Sequence, residues 1–291
     1  MSQYADVTNR ESILLESAEI LMHQAYQGDQ FILKVQTQEI AKQTKPGQFI
    51  HIQCAPELAM RRPISIMQAN IDNGEMTLLY KAVGKGTQLL SQQKVGQKLS
   101  MLGPIGKPFK LDAKKPLLIG GGVGMPPMII LAEWFKKKKI APMVILGSEV
   151  PFPFSPRPSE ILLPMMPEGV IATMPLMDDW NIACRLASLQ DYAGCFQGYV
   201  TDLARIWLKS LSPENLQQVE IYSCGPHPML EAVNQLANEF NLACQVSLEE
   251  FMACGIGGCA GCTVEVKQNN QTEMKRVCVD GPVFNSQEVF I

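Results

Sequence analysis

Nine positions near the end of the chain, "CGIGGCAGC" (254–262), hold three cysteines and four glycines. Cys254, Cys259 and Cys262 follow a C-x4-C-x2-C pattern, and Cys278 stands beyond a further fifteen residues. This is the plant-type spacing for a [2Fe–2S] cluster. Such a loop wraps the cluster so that three thiolates converge while backbone N–H groups face the bridging sulfides. Small residues at 255, 257, 258, 260 and 261 let the main chain come that close. The fourth thiolate arrives from a separate element and closes the site. A structural zinc or a set of unligated thiols are the alternatives. Zinc sites usually bring two CxxC-like pairs, whereas here one pair follows an x4 gap and precedes a lone cysteine, so the spacing favours iron–sulfur.

Four further stretches could bind phosphates or a ring. In "MRRPISIMQ", Arg62-Pro63-Ile64-Ser65 opens a strand; the planar arginine fork suits a diphosphate, and the serine could reach a flavin edge or a phosphate. In "YKAVGKGTQLLS", Gly84 and Gly86 precede Thr87, a loop able to offer backbone N–H groups to phosphate. "LLIGGGVGMPPM" carries Gly120, Gly121, Gly122 and Gly124 in a strand-to-helix turn, where a pyrophosphate could meet a helix N-terminus. It is not the G-x-G-x-x-G fingerprint, and a plain tight connection is the competing reading. "YSCGPHPM" repeats the geometry at another strand end, and both turns should face one crevice. Cys224 there reads equally as a small buried hydrophobe. Each stretch alone is weak; their order along the chain gives them value.

The elements that must position these residues change texture along the chain. From about Ser12 to Leu102, segments such as "ILLESAEILM", "QFILKVQTQEI", "GQFIHIQC", "PISIMQA" and "EMTLLYKAV" alternate with turn signals, as in an antiparallel barrel. After Pro116, buried strands alternate with helices, which implies a doubly wound parallel sheet. "PFPFSPRPSEILLP" is a proline-rich excursion with no assigned role. The last fifty or so residues are rich in cysteine and glycine. The fold expected is multi-domain: a β-barrel over 12–110, an α/β nucleotide-binding unit over 111–243 and a small cluster module over 244–291.

Composition excludes several function classes. With 46% apolar and 18% charged residues the chain is a packed globular protein. A net charge of −3 gives no reason to expect nucleic acid. The one basic run, Lys136 to Lys139, reads as the solvated end of a helix. The first residues lack a basic start and an apolar run, so no secretory signal is expected. No stretch suits a spanning helix, and no membrane association is expected. Nine cysteines, an odd number, with five scattered, fit a reduced cytoplasmic chain with one thiol-ligated site. His23, His51 and His227 lie apart and no nucleophile elbow is present, so acyl transfer is not expected.

The barrel with "RPIS", then "GKGT", "GGGVGMPP", "CGPHPM" and the terminal cysteine loop with "CVDGPVF" resemble the ferredoxin-reductase superfamily over nearly the whole chain. Within it the arrangement is similar to the electron-transfer subunits of NAD-dependent dihydroorotate dehydrogenases. The resemblance implies that Arg62, Pro63, Ile64 and Ser65 bind FAD, with Leu79, Tyr80 and Lys81 on the next strand and Gly86 and Thr87 on its phosphates. It places Cys224, Gly225 and Pro226 beside the nicotinamide of NAD(H). It also implies a catalytic FMN-containing barrel subunit as partner, in a heterotetramer, that oxidises dihydroorotate to orotate in pyrimidine biosynthesis. Size agrees: three modules fill the chain and leave no room for a substrate barrel of ~250 residues. Electrons would pass through the cluster and FAD to NAD+. A ferredoxin:NAD(P) or sulfide-type oxidoreductase small subunit has the same modules and is the alternative, and NAD against NADP stays open, with Glu149 as the candidate ribose contact.

Overall fold

The computed structural model describes residues 13–268 and 271–290. The expectation about a leader, and the outermost residues of the first and last expected units, lie outside them. The first six strands are β1 (Leu14–Tyr26), β2 (Gln30–Gln36), β3 (Phe49–Ile52), β4 (Arg62–Asn70), β5 (Glu75–Lys81) and β6 (Lys98–Ile105). They close an antiparallel barrel in the order β1-β2-β5-β4-β3-β6. Alternation fills it: Ile20, Leu33, Val35, Ile50, Ile52, Leu78 and Met101 are fully buried inside. On β3 this leaves Phe49 and His51 facing away from the barrel interior.

Two short helices interrupt the barrel, α1 (Gln38–Gln43) and α2 (Lys85–Ser91). The first replaces the end of the strand expected over "QFILKVQTQEI". The Glu16 carboxylate of β1 accepts from the backbone N–H groups of Glu39 (2.8 Å) and Ile40 (3.3 Å), satisfying donors that a helix start leaves unpaired.

The α/β unit follows the sequence-based alternation. β7 (Lys115–Gly121) leads through a short Gly122–Gly124 turn into α3 (Met125–Lys137), which has proline in its first turn and Lys136 and Lys137 in its last. Then come β8 (Met143–Gly147), β9 (Arg157–Pro158), β10 (Ala172–Thr173), α4 (Pro175–Asp179), β11 (Ala183–Ser188), β12 (Phe196–Gln197), α5 (Val200–Lys209), α6 (Pro213–Leu216), β13 (Val219–Cys224), α7 (His227–Phe240) and β14 (Ala243–Ser247). The sheet order is β12-β11-β8-β7-β13-β14, all parallel. Successive strands run one way from β7 and later ones the other, so the crevice opens between β7 and β13. Both faces are covered: Leu117, Ile119 and Ile221 meet α5 and α7, while Leu118, Val144 and Tyr222 meet α3. α3 also packs on the barrel, placing Met125, Met128 and Ile129 against Met67 of β4 and Leu79 of β5. Among the described residues no helix is long and apolar enough to cross a membrane.

The chain leaves β14 for the cysteine loop, forms the hairpin β15 (Thr263–Gln268) and β16 (Gln271–Arg276), and returns as β17 (Val283–Asn285) and α8 (Ser286–Val289). β17 pairs antiparallel with β14 as the seventh strand of the main sheet. The division expected at 243/244 falls at the head of β14. Cys262, Cys278, Val266 and Val277 share one buried cluster with Phe49 and Ile105 of the barrel and Val246 of the sheet.

Candidate cofactor sites

The cysteine loop runs over the outer face of β3. Its backbone needs left-handed conformations at Gly255 (φ 69°), Gly257 (φ 82°) and Ala260 (φ 53°). A Cβ at Gly255 would stand 2.5 Å from His51 Nδ1, and one at Gly257 would stand 2.5 Å from Val279 Cγ2. Arg276 clamps the loop from the other side: its Nη1 donates to Gly257 O (3.1 Å), while its backbone N–H donates to Asp280 Oδ2 (2.8 Å). The loop is therefore held between the barrel and the turn that carries Cys278.

The four thiols form two pairs. Cys262 and Cys278 are buried with their sulfurs 3.3 Å apart, and the half-buried Cys254 thiol lies close enough to the exposed Cys259 for the two to interact. Cys259 is exposed, and its sulfur accepts from Gly261 N at 3.4 Å. Burial alone pushes the Cys254 thiol up, but backbone N–H groups of Ile256, Cys259 and Gly258 together with the Cys259 thiol bring it down to about 7. Cys278 goes the other way, pushed up to about 12 by burial and by the Cys262 sulfur beside it. Among the described residues no three His, Cys, Asp or Glu side chains converge as ligands of a single ion. Two thiol pairs inside a loop whose amides point at sulfur fit a two-iron cluster: the inner pair lies in the core and the outer pair at the surface. Phe251 (94% exposed) and Ile256 (45%) flank that outer edge.

The candidate flavin residues lie on the strands next to β3. Arg62 and Pro63 pair in register with Ile52 and His51, and Ser65 with Phe49. The Arg62 guanidinium donates to the carbonyls of Met60 and Arg61 and lies against Gly86, where a Cβ would sit 2.7 Å from Nε. Thr87 Oγ1 donates to Gly84 O and accepts from Gly84 N, closing the first turn of α2, and nothing lies within 4 Å of a Cβ built at Gly84. A planar cation over a glycine turn with open space beside it fits a diphosphate. Ser65 and Lys81 are half-buried, whereas Ile64 and Leu79 are buried. Tyr80 points into the barrel: it stacks on Phe31 (5.3 Å between centroids) and its hydroxyl lies 2.8 Å from His23 Nε2. The Tyr80 position thus offers main chain, not its ring, to a ligand.

At the crevice, Cys224 is in register with Gly120, and β5 approaches the Gly122–Gly124 turn. Most of the glycines here serve contact between the two turns. A Cβ on Gly124 would lie 2.3 Å from Cys224 O; one on Gly121 would lie 2.4 Å from Met229 Sδ; one on Gly225 would lie 2.5 Å from Met229 Cε. Gly120 is similarly packed against Met128 and Met125. Gly122 (φ 55°) alone among them faces open space. Pro226 is exposed at the start of α7. Cys224 is buried and donates weakly to Glu249 Oε1 at 3.9 Å. Burial, reinforced by the Glu249 carboxylate, holds this thiol well above its ordinary pKa, so it stays a neutral group and not a nucleophile. Glu249 is exposed at the mouth of the crevice, and the protein crowded around its carboxyl raises its pKa, with the Cys224 thiol partly opposing the rise. Glu149, the candidate ribose contact, is exposed just past β8.

Sequence reasoning missed Glu249, Arg276 and His51. His51 is fully buried, and neither ring nitrogen has a hydrogen-bond partner. Burial, with Arg61 and Arg62 nearby, lowers its pKa to about 4 and keeps it neutral. No local pattern around "FIHI" announces that environment, because it arises where Arg61 and Arg62 of the neighbouring strand region meet the Cys254–Gly255 loop, which lies some two hundred positions away.

Two family models match the chain: an oxidoreductase FAD-binding domain over residues 15–109 and the iron–sulfur cluster binding domain of dihydroorotate dehydrogenase B over 249–290. The electron transfer subunit of dihydroorotate dehydrogenase B (NAD(+)) from Caldanaerobacter subterraneus subsp. tengcongensis is 36% identical over 250 residues, covering 85% of this chain and 88% of that protein. Its counterpart from Geobacillus sp. (strain WCH70) is 33% identical over 285 residues, covering 95% and 98%. Among solved structures, an NADH-dependent reduced ferredoxin-NADP oxidoreductase superposes with a TM-score of 0.75 at 26% identity, covering 94% of this chain and 90% of that one.

Proposed function

The chain belongs to the family of dihydroorotate dehydrogenase B (NAD(+)) electron transfer subunits, and from that membership we propose how its parts divide the work. It is an FAD and iron–sulfur oxidoreductase subunit that links a partner's oxidation of dihydroorotate to NAD+. The flavin, when bound, exchanges electron pairs with nicotinamide and single electrons with the cluster. In our reading 12–110 holds FAD, 111–243 holds NAD(H), and 244–291 holds the cluster. Arg62 clamps the flavin diphosphate, and Gly86 and Thr87 shape the turn beneath it. Pro63, Ile64, Ser65, Leu79, Tyr80 and Lys81 line the ring with strand backbone and the Ser65 hydroxyl. Gly122 admits the pyrophosphate of NAD(H). Gly120, Gly121, Gly124, Gly225 and Pro226 bring the two crevice turns together, and the neutral Cys224 thiol abuts the nicotinamide.

Cys254, Cys259, Cys262 and Cys278 hold the cluster. The exposed Cys259 edge is the port to a catalytic partner, which we take to be an FMN-containing subunit in a cytoplasmic heterotetramer. The observation that carries the reading is the cysteine loop itself, seated on β3 directly beside the strand that bears Arg62. The test is an anaerobic absorption spectrum of the purified chain before and after NADH, with iron and acid-labile sulfide assayed on the same sample. Flavin bands, a broad cluster shoulder, about two irons per chain and bleaching by NADH are expected. Zinc without iron or sulfide would overturn the reading.

A further inference from the structure

β3 lies between two working parts of the molecule. His51 pairs in register with Pro63 on the strand assigned to the flavin, and Gly255 of the ligand loop packs on its imidazole. Its neighbours Ile50 and Ile52 fill the barrel, so His51 occupies the position on β3 that the cluster module covers. An apolar side chain would serve to cover that face. A fully buried imidazole with both nitrogens unpartnered is costly there and calls for a reason. The main chains of Cys254 and Arg61 flank the ring just outside hydrogen-bonding geometry. Arg61 is itself fixed, donating through Nη1 to Ser100 O at 2.6 Å and through Nη2 to Ser100 Oγ at 2.8 Å. The neutral ring thus has one N–H to give and a cluster-ligand backbone within reach of it.

We infer that His51 is a positioning residue for the iron–sulfur site: its Nδ1 side seats the Cys254–Gly255 backbone against β3 and so fixes the ligand loop relative to the flavin strand. This rests on the cluster reading above. The imidazole carries no electron or proton in this role. It sets where the loop sits, and through the loop the surroundings of the Cys254 sulfur, which in turn tune a cluster's potential and spectrum.

The variants His51→Phe, His51→Asn and His51→Gln separate ring volume from hydrogen bonding. Asn places an amide near the Nδ1 position, Gln near Nε2, and Phe has neither. Each full-length protein, with flavin and cluster bound, is assayed for iron and sulfide, visible circular dichroism, cluster midpoint potential and the rate of cluster reduction by NADH. His51→Phe should keep flavin and iron but shift the dichroism and potential and slow reduction about tenfold. His51→Asn should recover most of that loss, and His51→Gln should not. Unchanged spectrum, potential and rate in His51→Phe, or no recovery in His51→Asn, would sink the inference. If His51→Phe does not fold, Gly255→Ala takes its place, since its Cβ pushes the loop off an intact imidazole; an unchanged spectrum there refutes the inference equally. A wild-type chain lacking iron and sulfide would overturn the cluster reading and this inference together. A wild-type chain with its cluster and an indifferent His51→Phe would overturn the inference alone.

Discussion

The cluster loop and the nucleotide crevice are both glycine-rich, yet glycine does different work in each. In the loop, Gly255 and Gly257 adopt left-handed backbone, and the backbone N–H of Gly261 donates to the Cys259 sulfur at 3.4 Å. In the crevice, Gly121, Gly124 and Gly225 have ordinary φ and are small because a neighbouring turn is already there. Among the crevice glycines Gly122 alone combines a left-handed φ with free space. A run of glycines therefore marks closeness, and only the structure says whether the close neighbour is a ligand or another part of the chain.

The largest effect should come from the loop's inner pair. Cys262→Ser is expected to lose most of the iron and sulfide while retaining flavin, as read by metal assay and absorption. Retention of a full complement of iron would break the assignment. Gly124→Ala comes next: with Cys224 backbone 2.3 Å from the new Cβ, we expect about 3 kcal/mol of destabilisation in urea unfolding, because neither turn can give way cheaply. Gly122→Ala sharpens the contrast. It should cost only about 1 kcal/mol, from backbone strain at φ 55°, yet weaken NADH binding more than its stability loss implies. Equal stability losses at 122 and 124 would erase the distinction.

The smallest effect concerns Glu249. Its folded pKa lies above the unfolded one, chiefly through desolvation. Its contribution thus favours the folded state below the ordinary carboxylate pKa and is lost as pH rises through the raised value. Glu249→Gln should remove that fall, so the gap in urea midpoint between variant and wild type should be larger at pH 7.5 than at pH 4. A pH-independent gap would show that Glu249 ionises normally.

Much of this was legible along the chain. Period-two alternation marked the barrel strands, and the switch to strand–glycine–helix units marked the sheet. The C-x4-C-x2-C spacing marked the cluster loop because all three thiols belong to one local turn system. What escaped was long-range. The proline-rich excursion is organised by Arg185, whose guanidinium donates to the carbonyls of Val170 (3.0 Å), Cys184 (2.7 Å) and Ile161 (2.7 Å), and by an aromatic group of Phe152, Phe154 and Tyr192. Two-residue strands such as β9 and β10 have no periodicity to read. Tyr80 shows a local signal set aside: the alternation Met76, Leu78, Tyr80 already turned its ring inward.

The return of β17 beside β14 gives the iron–sulfur segment the character of an insertion and not of a tail. Ser247 and Val283 face each other in register, so their Cα atoms stand about 5 Å apart. Everything between them, residues 248–282, leaves and re-enters the molecule through one narrow doorway. Such a cassette is not freely excised, because Cys262, Val266, Val277 and Cys278 fill a core shared with Phe49, Ile105 and Val246, so an exchange must replace that apolar packing as well as bridge the doorway. Cutting the chain after Cys278 would instead strip an edge strand from the sheet. Engineering an electron port into or out of this scaffold therefore means working at both posts of the doorway at once.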